Sequence, residues 1–136
     1  MLLVWILPPQ LFAGDAVVVG YNADGLWTAV TYFASSTPKG GRDYKDKAQA
    51  REHALRDLKR RGGPGMVRST VLSDSDATGY VAVARGTNGD ADVNVVGRGK
   101  TQPEADSAAL SQLKEAGADS KQKIVYRYFS YGADSK

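Results

Sequence analysis

The sequence predicts an α+β domain of tandem strand-strand-helix-strand repeats, forming one mixed or antiparallel sheet of about six strands with two helices packed on one face. Three observations lead there. The chain states nearly the same pattern twice, offset by a little over fifty residues: Trp27-Thr28-Ala29-Val30 returns as Tyr80-Val81-Ala82-Val83, and Ala54-Leu55 as Ala109-Leu110. Asn88-Gly89 between apolar runs is a hairpin signal. Each copy also contains an alanine-rich stretch at helical spacing, opened by a capping residue and closed by glycine.

In chain order, Leu2 to Leu7 is an unbroken apolar run, followed by Pro8-Pro9 and Leu11-Phe12-Ala13. Residues 1–16 read as a signal peptide or hydrophobic N-terminal segment, although no Lys or Arg precedes the run. The rival reading is a buried first strand continued by Ala16 to Gly20. Residues 17–136 then form a single domain of two repeats, 24–73 and 79–132. The first repeat opens at the Asp24-Gly25 turn. Trp27 to Phe33 alternates as a strand, Ser35 to Gly41 carries a hairpin to a short strand near Arg42 to Tyr44, and Asp46 caps a helix with Ala50, Ala54, Leu55 and Leu58 on one stripe. Gly62-Gly63-Pro64-Gly65 stops that helix, and Met66 to Leu72 returns as a strand. In the second repeat Tyr80 to Ala84 and Val93 to Val96 flank Thr87-Asn88-Gly89-Asp90. Thr101 and Glu104 then make a capping box with Pro103 in the first turn, and Lys123 to Tyr131 follows Gly117 as the last strand. Alanines recurring every fourth residue imply close approach of helix to sheet or of helix to helix.

The chemistry-bearing motifs reduce to structural work. With no cysteine among 136 residues, disulfides, thiolate metal sites and a Cys nucleophile are excluded. Gly97-Arg98-Gly99-Lys100-Thr101 echoes the end of a phosphate-binding loop, but position 94, where the loop needs its first glycine, is Asn, and Thr101 is accounted for as a cap. Asp74-Ser75-Asp76-Ala77-Thr78-Gly79 opens like a calcium loop, yet the required twelfth-position acid is Arg85, so it reads as a solvated linker. His53, the sole histidine, has no nucleophile or second ligand in a recognisable arrangement. The expectation is a protein with no catalytic residues, no metal and no cofactor.

The doubled pattern after Asp24, with its Gly-rich hairpin, Ala54-Leu55 or Ala109-Leu110 helices and Val-rich closing strand, resembles a bacterial family of small exported tandem-repeat proteins known as domain of unknown function 4189. That family typically carries cysteines near the helix end and in the following strand; the matching neighbourhoods here hold Leu58, Leu113, Met66 and Lys123. The family's own role is obscure, so the resemblance implies fold and a periplasmic or secreted location more than any activity.

Function is therefore expected where the copies differ. The final strand supplies Tyr126, Arg127, Tyr128 and Tyr131, and with Trp27 and Tyr32 these form a candidate surface for a protein partner, since Tyr, Trp and Arg concentrate interface energy. The alternative partner is a polyanion or nucleic acid. Residues 1–70 hold ten Lys or Arg against six acids, whereas residues 71–136 hold eight against nine. Any basic face thus lies in the first helix, through Arg56, Lys59, Arg60 and Arg61, with Arg98 and Lys100 at the start of the second. No membrane span is expected after processing, and the sequence specifies no oligomeric state.

Overall fold

The computed structural model describes residues 14–34 and 46–131. The apolar run Leu2 to Leu7, the hairpin expected over Ser35 to Gly41 and the strand expected near Arg42 to Tyr44 lie outside these residues. The described chain is α+β and runs β1 (Asp15–Tyr21), β2 (Trp27–Ala34), α1 (Lys47–Gly62), β3 (Arg68–Ser75), β4 (Gly79–Asn88), β5 (Ala91–Gly99), α2 (Gln102–Glu115) and β6 (Ser120–Ser130).

The expected single sheet is instead two antiparallel three-stranded sheets, ordered β2-β1-β3 and β5-β4-β6. The reason lies in the central strands. Val17, Val18 and Val19 follow one another, so β1 carries apolar groups on both faces and is buried along its whole length. One sheet with both helices on one side would leave one of these faces in water. The two sheets therefore stack: Val17, Val19, Tyr21, Val30 and Leu72 of the first meet Val83, Val96, Val125 and Tyr128 of the second. The opposite faces take one helix each. Ala16, Val18 and Ala29 pack on Ala50, Ala54 and Leu58 of α1, while Ala82 and Ala84 pack on Ala105, Ala109 and Leu113 of α2. The expectation of both helices on one face is thus corrected to four layers, helix-sheet-sheet-helix.

The helices begin where their caps dictate. Asp46 Oδ1 accepts from the Gln49 N–H (2.9 Å), and Thr101 Oγ1 accepts from the Glu104 N–H (3.3 Å) while the Glu104 carboxylate accepts from the Lys100 N–H (3.0 Å). The hairpin turns hold glycines in the left-handed region, Gly25 at φ 79° and Gly89 at φ 60°.

The two halves share the element order strand-strand-helix-strand and the same three-strand sheet order, but their strands correspond differently from the expectation. β1 matches β4 and β2 matches β5, so Trp27 does not correspond to Tyr80. Both halves carry the same bulge: residues opposite Val17 and Val18 skip Leu72, and residues opposite Val83 and Ala84 skip Val125, each skipped side chain pointing into the inter-sheet core. This makes Val17 and Val83 equivalent. The strand error arises because residues 35–46 separate β2 from α1, whereas only Lys100 and Thr101 separate β5 from α2. A constant offset read from the helices therefore slips at the strands. The first unit begins at Asp15, ahead of both Asp24 and the boundary drawn after Ala16. Counting from the bulges, Asp15 and Arg98 stand where the other half has Val81 and Ala34, and Arg85 and Asn94 where it has Val19 and Val30.

Candidate binding site

β2 pairs with β1 on one side and with no described strand on the other. Along this open edge, α1 and β6 approach from either side and a groove forms, lined by Thr31, Tyr32, Phe33, Asp57, Arg61 and Tyr126. It continues along α1 past His53, Arg56 and Arg60, with Phe33 and Asp57 common to both stretches. The basic run and the aromatic strand, separate features of the sequence, meet here.

Each side chain arrives for a local reason. Alternation along β2 turns Tyr32 toward the second sheet, where its ring stacks on Tyr128 (centroids 4.5 Å apart, planes 3° apart) and tilts against Tyr126 (5.9 Å). Thr31, one residue on, faces α1; it is 4% exposed and its hydroxyl has no hydrogen-bond partner among the described residues. Asp57 is buried on the helix face opposite it, where Arg60 forms an ion pair with Oδ1 and Arg61 Nε lies 2.8 Å from Oδ2. The groove thus combines two half-exposed tyrosines, an unpartnered buried hydroxyl and a carboxylate held by two arginines. This arrangement suits recognition of an extended chain.

The remaining predicted residues are distributed over the molecule. Trp27 lies at the other end of β2, with the Arg85 guanidinium 3.8 Å above its ring and its backbone N–H donating to Asp92 (2.9 Å). Alternation along β6 puts Arg127 on the α2 side, where it pairs with Asp106 (3.1 Å), and Tyr131 packs edge-on against Phe129 (4.8 Å). The predicted aromatic surface therefore divides, and the structure brings together Tyr32, Tyr126 and Tyr128. Of the basic set, Arg56 and Lys59 are exposed on α1 and Lys100 is exposed ahead of α2. Arg98 is engaged elsewhere: its guanidinium donates to both oxygens of fully buried Asp15 (3.0 and 2.8 Å) and to Ser73 Oγ (3.0 Å). The Tyr128 hydroxyl (2.7 Å) and the Ser130 hydroxyl (3.1 Å) also donate to Asp15.

This charge cluster ties the sheets together and perturbs its members. Burial pushes the Tyr128 phenol well above the ordinary tyrosine value, and the adjacent Asp15 charge pushes in the same direction. For Arg98 burial opposes the charged form, but the hydrogen bonds and charge of Asp15 override it and the net shift is upward.

The acids of the linker have structural partners. Asp74 pairs with Arg51 (2.8 Å) and Asp76 Oδ1 accepts from the Lys47 N–H (2.7 Å), so both receive the start of α1. His53 lies beside Phe33 (ring centroids 6.2 Å apart) in the groove. Sequence reasoning did not single out Thr31, Phe33 or Asp57 as site residues. The available signal for Asp57 was an isolated acid three and four residues before Arg60 and Arg61; nothing marked Thr31.

No described helix is long and apolar enough to cross a membrane. Comparison with protein-family models, with curated proteins and with solved structures finds no match to this chain.

Proposed function

We propose that this chain is a non-catalytic, exported binding protein that takes an extended segment of a protein partner in the cell envelope along the open edge of β2. The observation that carries this reading is the groove between α1, β2 and β6, where Tyr32, Tyr126 and Arg61 flank a strand edge unpaired among the described residues. Main-chain groups of an edge strand supply affinity to an added strand, and neighbouring side chains supply selectivity. Half-exposed tyrosines beside arginines are the side chains that concentrate interface energy. Export rests on the apolar N-terminal segment and on the resemblance to the exported repeat family.

The alternative, polyanion or nucleic-acid binding through α1, is supported by exposed Arg56 and Lys59. It is weakened because Arg60 and Arg61 pair with Asp57, and Arg98 with Asp15. The two readings separate in one experiment: capture of partners from cell-envelope extract at low and high salt, comparing the wild type with Tyr32→Ser/Tyr126→Ser and with Arg56→Gln/Lys59→Gln. A protein-partner site retains capture at high salt and loses it in the tyrosine variant, at a cost of about 2 kcal/mol or more. Capture that falls steeply with salt and is lost in the Arg56/Lys59 variant favours the polyanion reading. Failure to capture any partner at low salt defeats both.

A further inference from the structure

A second concavity lies at the Trp27 end of the sandwich, lined by Trp27, Arg85, Thr87, Asp92, Lys121 and Lys123. Its cations are there at a structural cost. Arg85 and Asn94 occupy the inner-face positions that the other half fills with Val19 and Val30. Apolar burial is thus exchanged for a guanidinium. That guanidinium is fixed: Nε donates to Asn94 Oδ1 (2.9 Å), Asn94 donates to the Tyr21 hydroxyl (3.2 Å), and Trp27 lies against its face.

The facing strand carries a second cost. Thr87 pairs with Ser120 and Arg85 with Lys123, so Lys121 and Gln122 together oppose Gly86. Lys121 takes φ 56°, the only positive φ of a non-glycine among the described residues. A lysine gains nothing from this conformation that glycine would not provide more cheaply. Lys121 nevertheless lines the same cleft as Lys123, two residues along the strand. Neither lysine has an ion-pair partner among the described residues. Three cations therefore face one carboxylate, Asp92, whose Oδ2 accepts from the Trp27 backbone N–H.

We propose that this cleft binds a phosphate-type oxyanion, held by Lys121 and Lys123 and oriented by the fixed guanidinium of Arg85. An oxyanion neutralises the excess charge and accepts the lysine and guanidinium donors in the charge-assisted geometry such groups favour. Burial depresses the affinity of Arg85 for its proton, with Asp92, Tyr126 and Tyr21 partly compensating, as expected of a cation whose neutralisation is incomplete. The strained Lys121 fits a residue retained for binding at the expense of stability.

The test uses the full chain with Trp5→Phe, which leaves Trp27 as the only tryptophan. Its fluorescence is titrated with inorganic phosphate, with pyrophosphate, and with vesicles of phosphatidylglycerol or phosphatidylcholine. A saturable response to phosphate or pyrophosphate identifies a soluble phosphate compound as the source. A response confined to phosphatidylglycerol vesicles identifies a lipid headgroup. Lys123→Gln and Lys121→Gly are each expected to weaken binding about tenfold, as loss of one hydrogen bond to a charged group implies. Lys121→Gly at the same time leaves the melting temperature unchanged or raises it. Absence of a saturable response in every arm overturns the proposal, as does full affinity retained in both lysine variants.

Discussion

At the scale of single residues, the most consequential side chain is Asp15, a carboxylate at the end of a valine strand with no contact with water. It is tolerable there because four donors reach it: two from Arg98 and one each from Tyr128 and Ser130. None of this was legible in the sequence, because its partners lie 83, 113 and 115 residues away and no local pattern encodes such a meeting. The same limit hid Thr31, whose only distinction is where the helix above it lies. The Tyr128 hydroxyl yields a pH prediction. Its proton is held more tightly in the folded state, so ionisation of the unfolded chain pulls against folding as pH rises past the ordinary tyrosine value of about 10. Folding stability should therefore fall through that range. Tyr128→Phe should lose about 1 to 3 kcal/mol at neutral pH, because Asp15 is left one donor short, and should flatten the alkaline fall. Urea denaturation at neutral and alkaline pH measures both; an equally steep alkaline limb in the variant would place the titration elsewhere.

Among the elements, existence was far more legible than correspondence. Asp46, Thr101-Glu104 and Asn88-Gly89 encode caps and a turn through contacts within a few residues, and each does in the structure what its local chemistry requires. The strands were matched wrongly because the two units carry connections of unequal length between second strand and helix. The two-sheet architecture had a readable signal too: Val17-Val18-Val19 and Val81-Ala82-Val83-Ala84 are continuous, not alternating, and such runs serve strands covered on both faces. The alanine stripes have a geometric counterpart in β5. A Cβ added at Gly97 would lie 2.1 Å from the Ala109 backbone nitrogen and 2.4 Å from the Ala105 carbonyl oxygen. Backbone cannot yield as a side chain does, so Gly97→Ala should cost at least about 1 to 3 kcal/mol by lifting α2 off its sheet. Gly89→Ala meets no neighbour within 4 Å and carries only the strain of its positive φ, which makes it the control. Thermal unfolding of both variants separates overpacking from backbone strain; equal losses would show that α2 does not pack this closely.

For the whole molecule, four layers from two units mean that neither half has a complete core. Each sheet closes one face with its own helix and depends on the other sheet for the second. A polypeptide of residues 14–75 and one of residues 79–131 should each lack cooperative unfolding when alone, and should regain it when mixed if the inter-sheet contacts reassemble. Circular dichroism during urea titration tests this, and a cooperative transition in either isolated half would refute the dependence. The binding groove inherits the same dependence, since Tyr126 comes from the second unit and Arg61 from the first. The tie between Asp15 and Arg98 also sets a timetable for synthesis. A chain emerging from the ribosome N-terminus first exposes the Val17-Val19 face, with a lone carboxylate beside it, until residues beyond Arg98 have been made. During that interval the valine face has no sheet to cover it and the carboxylate keeps its water, so the first half cannot take its final form before the second exists.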